Sequence, residues 1–368
     1  MITLSPEDAL RLNVLLANAI QAIRIDDYKM VVYGLAEQNE AKIQLHPTCR
    51  SDLYLKQIRE VIAGHIFDSP GGYPVYLRHW TRMGQARDDS LEQLLMLGEP
   101  EAVVAVANAA GLTPELAKRA WWAMPDSQNA RSMLSNSAVV RSDIGQELAQ
   151  YLVDYLPFEE EPNHLIESIR LVLQADLISD ETKQAIWQKG KNKTSYLVGF
   201  LLTLPDNLPE TSHAHSQCDV FQTKLSGIKD NPITRQLMRV LSANGQAFIH
   251  TCERVLRKPA NQEVVTHLFD AIAHYFVSIL PTNWQAMSME QLLDTSQQTC
   301  EQQEDLVKLF TLAPETKPFV HAMLILSGLS YDVLNPIFST TTAIGSLMRK
   351  KLQPVSTPVL AQLALLKK

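Results

Sequence analysis

Apolar residues recur at helical spacing along most of this chain and change to strict alternation in one stretch near the start. Ser5-Pro6-Glu7-Asp8 has the form of an N-cap, a proline at the first helical position and an acid at the third. It opens a predicted helix through Leu10, Val14 and Ala17. The period then shortens. Ile23 and Ile25, Met30 and Val32, and Ile43 and Leu45 alternate with polar residues, with Asp26-Asp27 and Gln38-Asn39 as turns, which predicts a small antiparallel β-meander. Helical spacing returns from Ser51 to His65, followed by a Ser69-Pro70-Gly71-Gly72-Tyr73-Pro74 loop. From Val75 to Leu208 helix follows helix, broken by Pro125, Pro157 and Pro162.

Residues 98–134 set the pattern of that middle region. Pro100 stands where a first helical turn tolerates a missing N–H, Gly111 where a helix ends, and Thr113-Pro114-Glu115 opens the next. A looser copy begins at Glu161-Pro162 and places Lys183, Ala185 and Trp187 where the first has Lys118, Ala120 and Trp122. Two helical hairpins per period predict a helical stack. Between Pro205 and Pro232 apolar content falls, which reads as a linker. Asn231-Pro232 then caps one long helix carrying Ile233, Leu237, Leu241, Phe248, Cys252 and Val255 on one face. Its antiparallel partner carries Val265, Leu268, Phe269, Ile272 and Phe276. Further helices are expected between Pro281, Pro314, Pro336 and Pro354. The expected architecture is mainly α, with stacked helical hairpins in a HEAT-like array and a small N-terminal antiparallel meander. Its expected divisions are residues 1–208, a linker at 209–231, and a C-terminal helical domain at 232–368.

The 368 residues are 46% hydrophobic and 20% charged, enough to bury a large core. Lys and Arg number 33 against 40 Asp and Glu, a formal charge of -7, which argues against general nucleic-acid binding. The N-terminal residues have neither the basic start nor the apolar run of a signal peptide, and the expected location is the cytoplasm. Phe319–Met348 is apolar, but Asp332, Asn335, Pro336 and Ser339 interrupt it, so a buried helical hairpin is expected rather than a membrane span. The four cysteines are scattered and read as reduced thiols.

Three clusters carry potential chemistry. Glu263, His267, Asp270 and His274 share one helical face, with His250 and Glu253 at similar height on the preceding helix. At about 100° per residue that face points away from Val265, Ile272 and Phe276, so it reads as solvated. His213-Ala214-His215-Ser216-Gln217-Cys218 supplies metal-ligating residue types without a second ligand cluster, and reads as a polar loop. No bound metal and no cofactor are expected. The third cluster joins Tyr73, Arg78, His79, Trp80 and Arg82. Arginines at i and i+4 beside aromatics suit a partner or an anionic ligand. The competing reading is a structural corner, with Tyr76, Trp80 and Met83 in the core and the arginines paired to Asp88 and Asp89. The chain has no dinucleotide or phosphate-binding glycine motif, no G-x-S-x-G and no H-E-x-x-H.

The segments LSPEDALRLNVLLAN, GGYPVYLRHWTRMGQ and LLMLGEPEAVVAVANAAGLTPELAKRAWWAMPDSQNARSML resemble the DsrS family of soluble proteins, most clearly over residues 1–210. That family is encoded with the dissimilatory sulfite reductase genes of sulfur-oxidising bacteria. The resemblance implies a cytoplasmic accessory protein of sulfur oxidation, with a protein partner in that system, and carries no catalytic residue over. Two function classes follow: a non-catalytic interaction or regulatory protein, and an enzyme or small anionic-ligand carrier using the Tyr73–Arg82 region.

Overall fold

A computed structural model describes residues 4–37, 39–67, 88–285 and 287–367. Among them are twenty α-helices and one three-stranded antiparallel sheet, a mainly α protein with an N-terminal meander. The chain forms two compact units, Met1–Tyr155 and Leu156–Lys368. Residues 209–231, expected as a linker, lie inside the second unit. There Phe221 is fully buried and the His215 N–H donates to the Leu241 carbonyl at 2.8 Å.

The first unit begins with α1 (Pro6–Leu16), whose N-cap Ser5 accepts the Asp8 N–H as the sequence predicts. Strands β1 (Ile20–Asp26), β2 (Val31–Ala36) and β3 (Glu40–Gln44) pair in that order, with Ile23 opposite Gly34 and Val32 opposite Ile43. Helix α2 (Ser51–Phe67) and α1 cover one face, burying Leu12, Leu15, Ile23, Val32, Tyr54 and Ile58 together. The alternation seen in the sequence is this one-sided burial. Short helices α3 (Asp88–Leu95), α4 (Pro100–Ala107), α5 (Pro114–Ala123), α6 (Ser127–Leu134), α7 (Ser137–Val140) and α8 (Asp143–Tyr155) complete the unit, α3 and α5 packing on β1.

The second unit holds α9 (Pro162–Val172), α10 (Asp180–Lys189), α11 (Ser195–Thr203), α12 (Cys218–Lys224), α13 (Pro232–Leu241), α14 (Ala243–Arg257) and α15 (Gln262–Tyr275). Helices α16 (Met289–Gln302), α17 (Glu304–Leu312), α18 (Lys317–Ser327), α19 (Tyr331–Phe338) and α20 (Gly345–Leu366) follow. Helix α11 is buried from Ser195 to Leu201 and packs against α9, α14 and α15, so a helix apolar on every side forms the centre. No helix among the described residues is long and apolar enough to cross a membrane, and Phe319–Met348 contributes to three separate helices.

The structure corrects two expectations of helix order and distinguishes one pair of aligned residues. The helix predicted from Asn231 to Val255 is two helices, α13 and α14, meeting at Ser242, which is extended and accepts the Gly245 N–H. A Cβ on Gly245 would lie 2.1 Å from the Arg239 carbonyl oxygen, so the corner closes only around glycine. Ser142-Asp143-Ile144-Gly145 repeats this corner between α7 and α8, with 2.6 Å from a Gly145 Cβ to the Val139 oxygen. Pro336 and Pro354 lie inside α19 and α20 rather than between helices. The lost N–H bonds are outweighed in α20 by burial of Leu352, Val355, Val359 and Leu363 around Pro354 and Pro358. Lastly, the two tryptophans that mark the sequence copies have unlike surroundings. Trp187 is buried edge-on against Phe200, whereas Trp122 is half-buried and it is Trp121 that points inward.

Candidate binding cleft on the first unit

Trp121 and Trp122 are neighbours on a helix and therefore point about 100° apart, so both cannot enter one core. Trp121 is buried, donates its indole N–H to Glu147 at 2.8 Å and meets the Tyr151 ring edge-on. Trp122 turns toward the sheet. Its indole N–H donates to Glu40 at 2.9 Å, and its ring lies 4.9 Å from the Arg24 guanidinium. Tyr33, its directly paired residue on β2, also meets Arg24, with the ring centroid at 4.6 Å. Cross-strand partners share a sheet face, which is why Arg24 and Tyr33 meet.

Arg24 thus contacts two aromatic rings and is 35% exposed. One nitrogen donates to the Trp122 carbonyl at 3.3 Å and another stands 3.6 Å from Glu40. Glu40 therefore ties the arginine and the indole of one stack together. Fixing three otherwise mobile side chains in this way lowers the entropy lost when something docks on them.

Beside the stack runs a cleft of about 490 Å³ between β1, the start of α4 and the turn from α5 to α6. Gly98 shapes the α4 side. Its φ of +69° is left-handed, and a Cβ there would lie 3.0 Å from Ile23 and Ile25. Glu99 follows at the N-cap of α4 but does not cap it. Its carboxylate instead lies 3.4 Å from Nε of Arg59, an arginine also bound to Asp27 at 2.7 Å. Burial raises the Glu99 carboxyl above its usual range, and the Arg59 charge opposes that rise. On the opposite wall Asp126 is committed to structure: it caps α6 by accepting the Asn129 N–H at 2.8 Å and also binds the Asn129 side chain.

The predicted site residues Tyr73, Arg78, His79, Trp80 and Arg82 lie outside the described residues. The His267 face has local partners. His267 meets Asn163 at 3.1 Å and stands 3.7 Å from Asp270, whose carboxyl burial pushes up. Glu253, read as solvated, is only 9% exposed and holds both Lys367 and Arg257. Its carboxyl is held below the usual range chiefly by the Lys367 hydrogen bond. In the HxHxxC segment, His215 packs edge-on against Phe319 and accepts the Gln217 N–H. No group of three metal-ligating side chains occurs among the described residues.

Compared with known protein families, curated proteins and solved structures, the chain has no significant match. Sequence reasoning missed Arg24, Tyr33, Glu40, Glu99 and Trp122, which come from segments far apart in the chain. The available signal was the Trp121-Trp122 pair, whose geometry obliges one ring to serve a second surface.

Proposed function

We propose that this chain is a non-catalytic cytoplasmic accessory protein of bacterial sulfur oxidation that acts by binding a protein partner, with the Arg24 cleft as its docking surface. The observation that carries the binding role is the arginine held by contacts with both Tyr33 and Trp122. Arg, Tyr and Trp are the residue types that dominate interface energies when they are rigid and partly desolvated. The sulfur-oxidation setting rests on the resemblance to the DsrS family.

Charge narrows the kind of partner. The cleft wall carries three carboxylates, Asp26, Glu99 and Asp126, against two cations, Arg24 and Lys29. Burial already disfavours the ionised form of Glu99. A partner segment bringing a basic side chain to Glu99 relieves that cost, while its apolar neighbours gain contact with Ile25, Val103 and Met124.

Affinity purification from sulfur-oxidising cells tests this reading, comparing the natural chain with Trp122→Ala. A stoichiometric protein partner retained by the natural chain and lost by a folded Trp122→Ala variant is the expected result. A chain that runs alone while retaining a small molecule would favour the carrier or enzyme reading instead.

A further inference from the structure

A second cavity, of about 430 Å³, lies in the second unit between α12, the 3-10 turn Ser226–Ile228 and α13. Its wall combines apolar Leu225 and Met238 with Lys229, Arg235, Thr234 and the thiol of Cys218. Two features separate it from an ordinary surface groove.

The first is unspent positive charge. Among the described residues, the side chains of Lys229 and Arg235 have neither an ion pair nor a hydrogen bond. Arg239, one turn beyond Arg235, is by contrast clamped by Asp206 at 2.7 and 2.6 Å. Among the described residues no carboxylate lines the cavity; Asp219 and Asp230 are exposed beside it in the sequence, and the Asp219 charge reaches Cys218. The second is an unspent hydroxyl. Thr234 is 2% exposed and its Oγ1 is buried without a hydrogen-bond partner, a position that ordinarily destabilises a fold. Asn231 already accepts the Thr234 backbone N–H, so the side chain is not needed for capping. Thr234 lines the cavity, and a 120° rotation about χ1 carries its hydroxyl to another staggered position, so a hydroxyl turned toward the cavity would meet a ligand there.

We infer that this cavity binds a small organic carboxylate, its head between Lys229, Arg235 and the Thr234 hydroxyl and its apolar body against Leu225 and Met238. The volume falls in the range of small-molecule sites and exceeds what a bare inorganic oxyanion fills. Carboxylates pair well with guanidinium and ammonium donors, and the apolar wall supplies area that a hydrated ion does not use.

Cys218 gives the site its own reporter, because it lines the cavity, whereas the half-buried Cys49 belongs to the first unit. Octanoate, octanamide, octylamine and inorganic phosphate are each titrated against the intact chain. Alkylation rates at Cys218 and Cys49 are read by peptide mass spectrometry. Octanoate is expected to slow Cys218 several-fold at millimolar concentration and leave Cys49 unchanged, with the other three probes much weaker. Lys229→Met with Arg235→Met is expected to weaken octanoate protection about tenfold, a loss of about 1.4 kcal/mol. Thr234→Val weakens it several-fold, and Thr234→Ser restores it. Equal protection by octanamide or octylamine, equal protection by phosphate, or no protection by octanoate overturns the inference. Those comparisons use the natural chain and need no variant to fold.

Discussion

Asp8 offers the sharpest test of how the first unit is held together. Its side chain has no exposed surface, although it stands in the first turn of an N-terminal helix, where acids are normally solvated. One oxygen accepts the Tyr54 hydroxyl at 2.5 Å and the His46 backbone N–H at 2.7 Å; the other lies 3.3 Å from the His46 ring. Tyr54 is itself fully buried, and its oxygen also accepts the Ser5 N–H at 3.2 Å. One carboxylate thus joins α1, the segment after β3, and α2. Asp8→Ala leaves the Tyr54 hydroxyl and the His46 N–H without their acceptor. At about 1–3 kcal/mol for each stranded buried donor, with relief by rearrangement, the loss is about 3 kcal/mol. For a unit of this size that lowers the melting temperature by about 6–12 °C.

The same site fixes a pH dependence. Burial alone would raise the Asp8 carboxyl, but the bonds from Tyr54, His46 and Ser5 together bring it below its ordinary value. A carboxylate depressed in the folded state contributes stability that is present above its unfolded value, about 3.9, and is lost as pH falls through the lower folded value. Chemical denaturation of the natural chain, Asp8→Ala, Asp8→Asn and Tyr54→Phe from pH 7 to pH 3 measures both effects. Asp8→Asn is expected to flatten the acid limb of the stability curve, and Tyr54→Phe to lose less than Asp8→Ala. An Asp8→Ala loss within about 0.5 kcal/mol, the range of an ordinary surface change, would refute the reasoning.

Four further outcomes follow from the geometry. Gly245→Ala is expected to destabilise the second unit by about 3 kcal/mol, because the new Cβ meets the Arg239 and Val240 carbonyls at 2.1 and 2.4 Å. Gly64→Ala in α2 meets nothing within 4 Å and is expected to stabilise by about 0.5–1 kcal/mol; thermal melts showing the same sign for both would contradict this account. Trp121→Phe should cost about 1 kcal/mol through loss of the Glu147 bond, checked by denaturant titration against Glu147→Gln. Burial pushes the Cys300 thiol up to about 11 and raises the Cys252 thiol well above its ordinary range, so alkylation at pH 8 should mark Cys49 before either; rapid labelling of Cys252 would argue against its buried position.

Local chemistry made much of this fold legible. The Ser5 cap, the alternation of Ile23, Val32 and Ile43, and the proline starts at Pro100, Pro114, Pro162 and Pro232 all appear where the pattern puts them. What escaped depends on contacts distant in sequence. Periodicity ran unbroken through Ser242 because the apolar face continues on both sides of the corner, and only the close approach at Gly245 shows the chain turning. Glu253 was read as solvated because its partner Lys367 is 114 positions away. The cleft was invisible for the same reason: Arg24 meets the Trp122 carbonyl across 98 positions, and no spacing rule links them. The aromatic and arginine-rich stretch at Tyr73–Arg82 was conspicuous because its residues are adjacent in the chain.

Crosslinking inside the cell shows whether the proposed Arg24 cleft docks a protein partner. A photoreactive residue placed at Lys29, an exposed position on the cleft wall, is compared with one at Tyr331, an exposed position on the second unit. One discrete protein adduct is expected at position 29 that disappears when Trp122→Ala is added, and none of that mass at position 331. Absence of an adduct at position 29, or an equal adduct at both positions, would contradict the proposed docking.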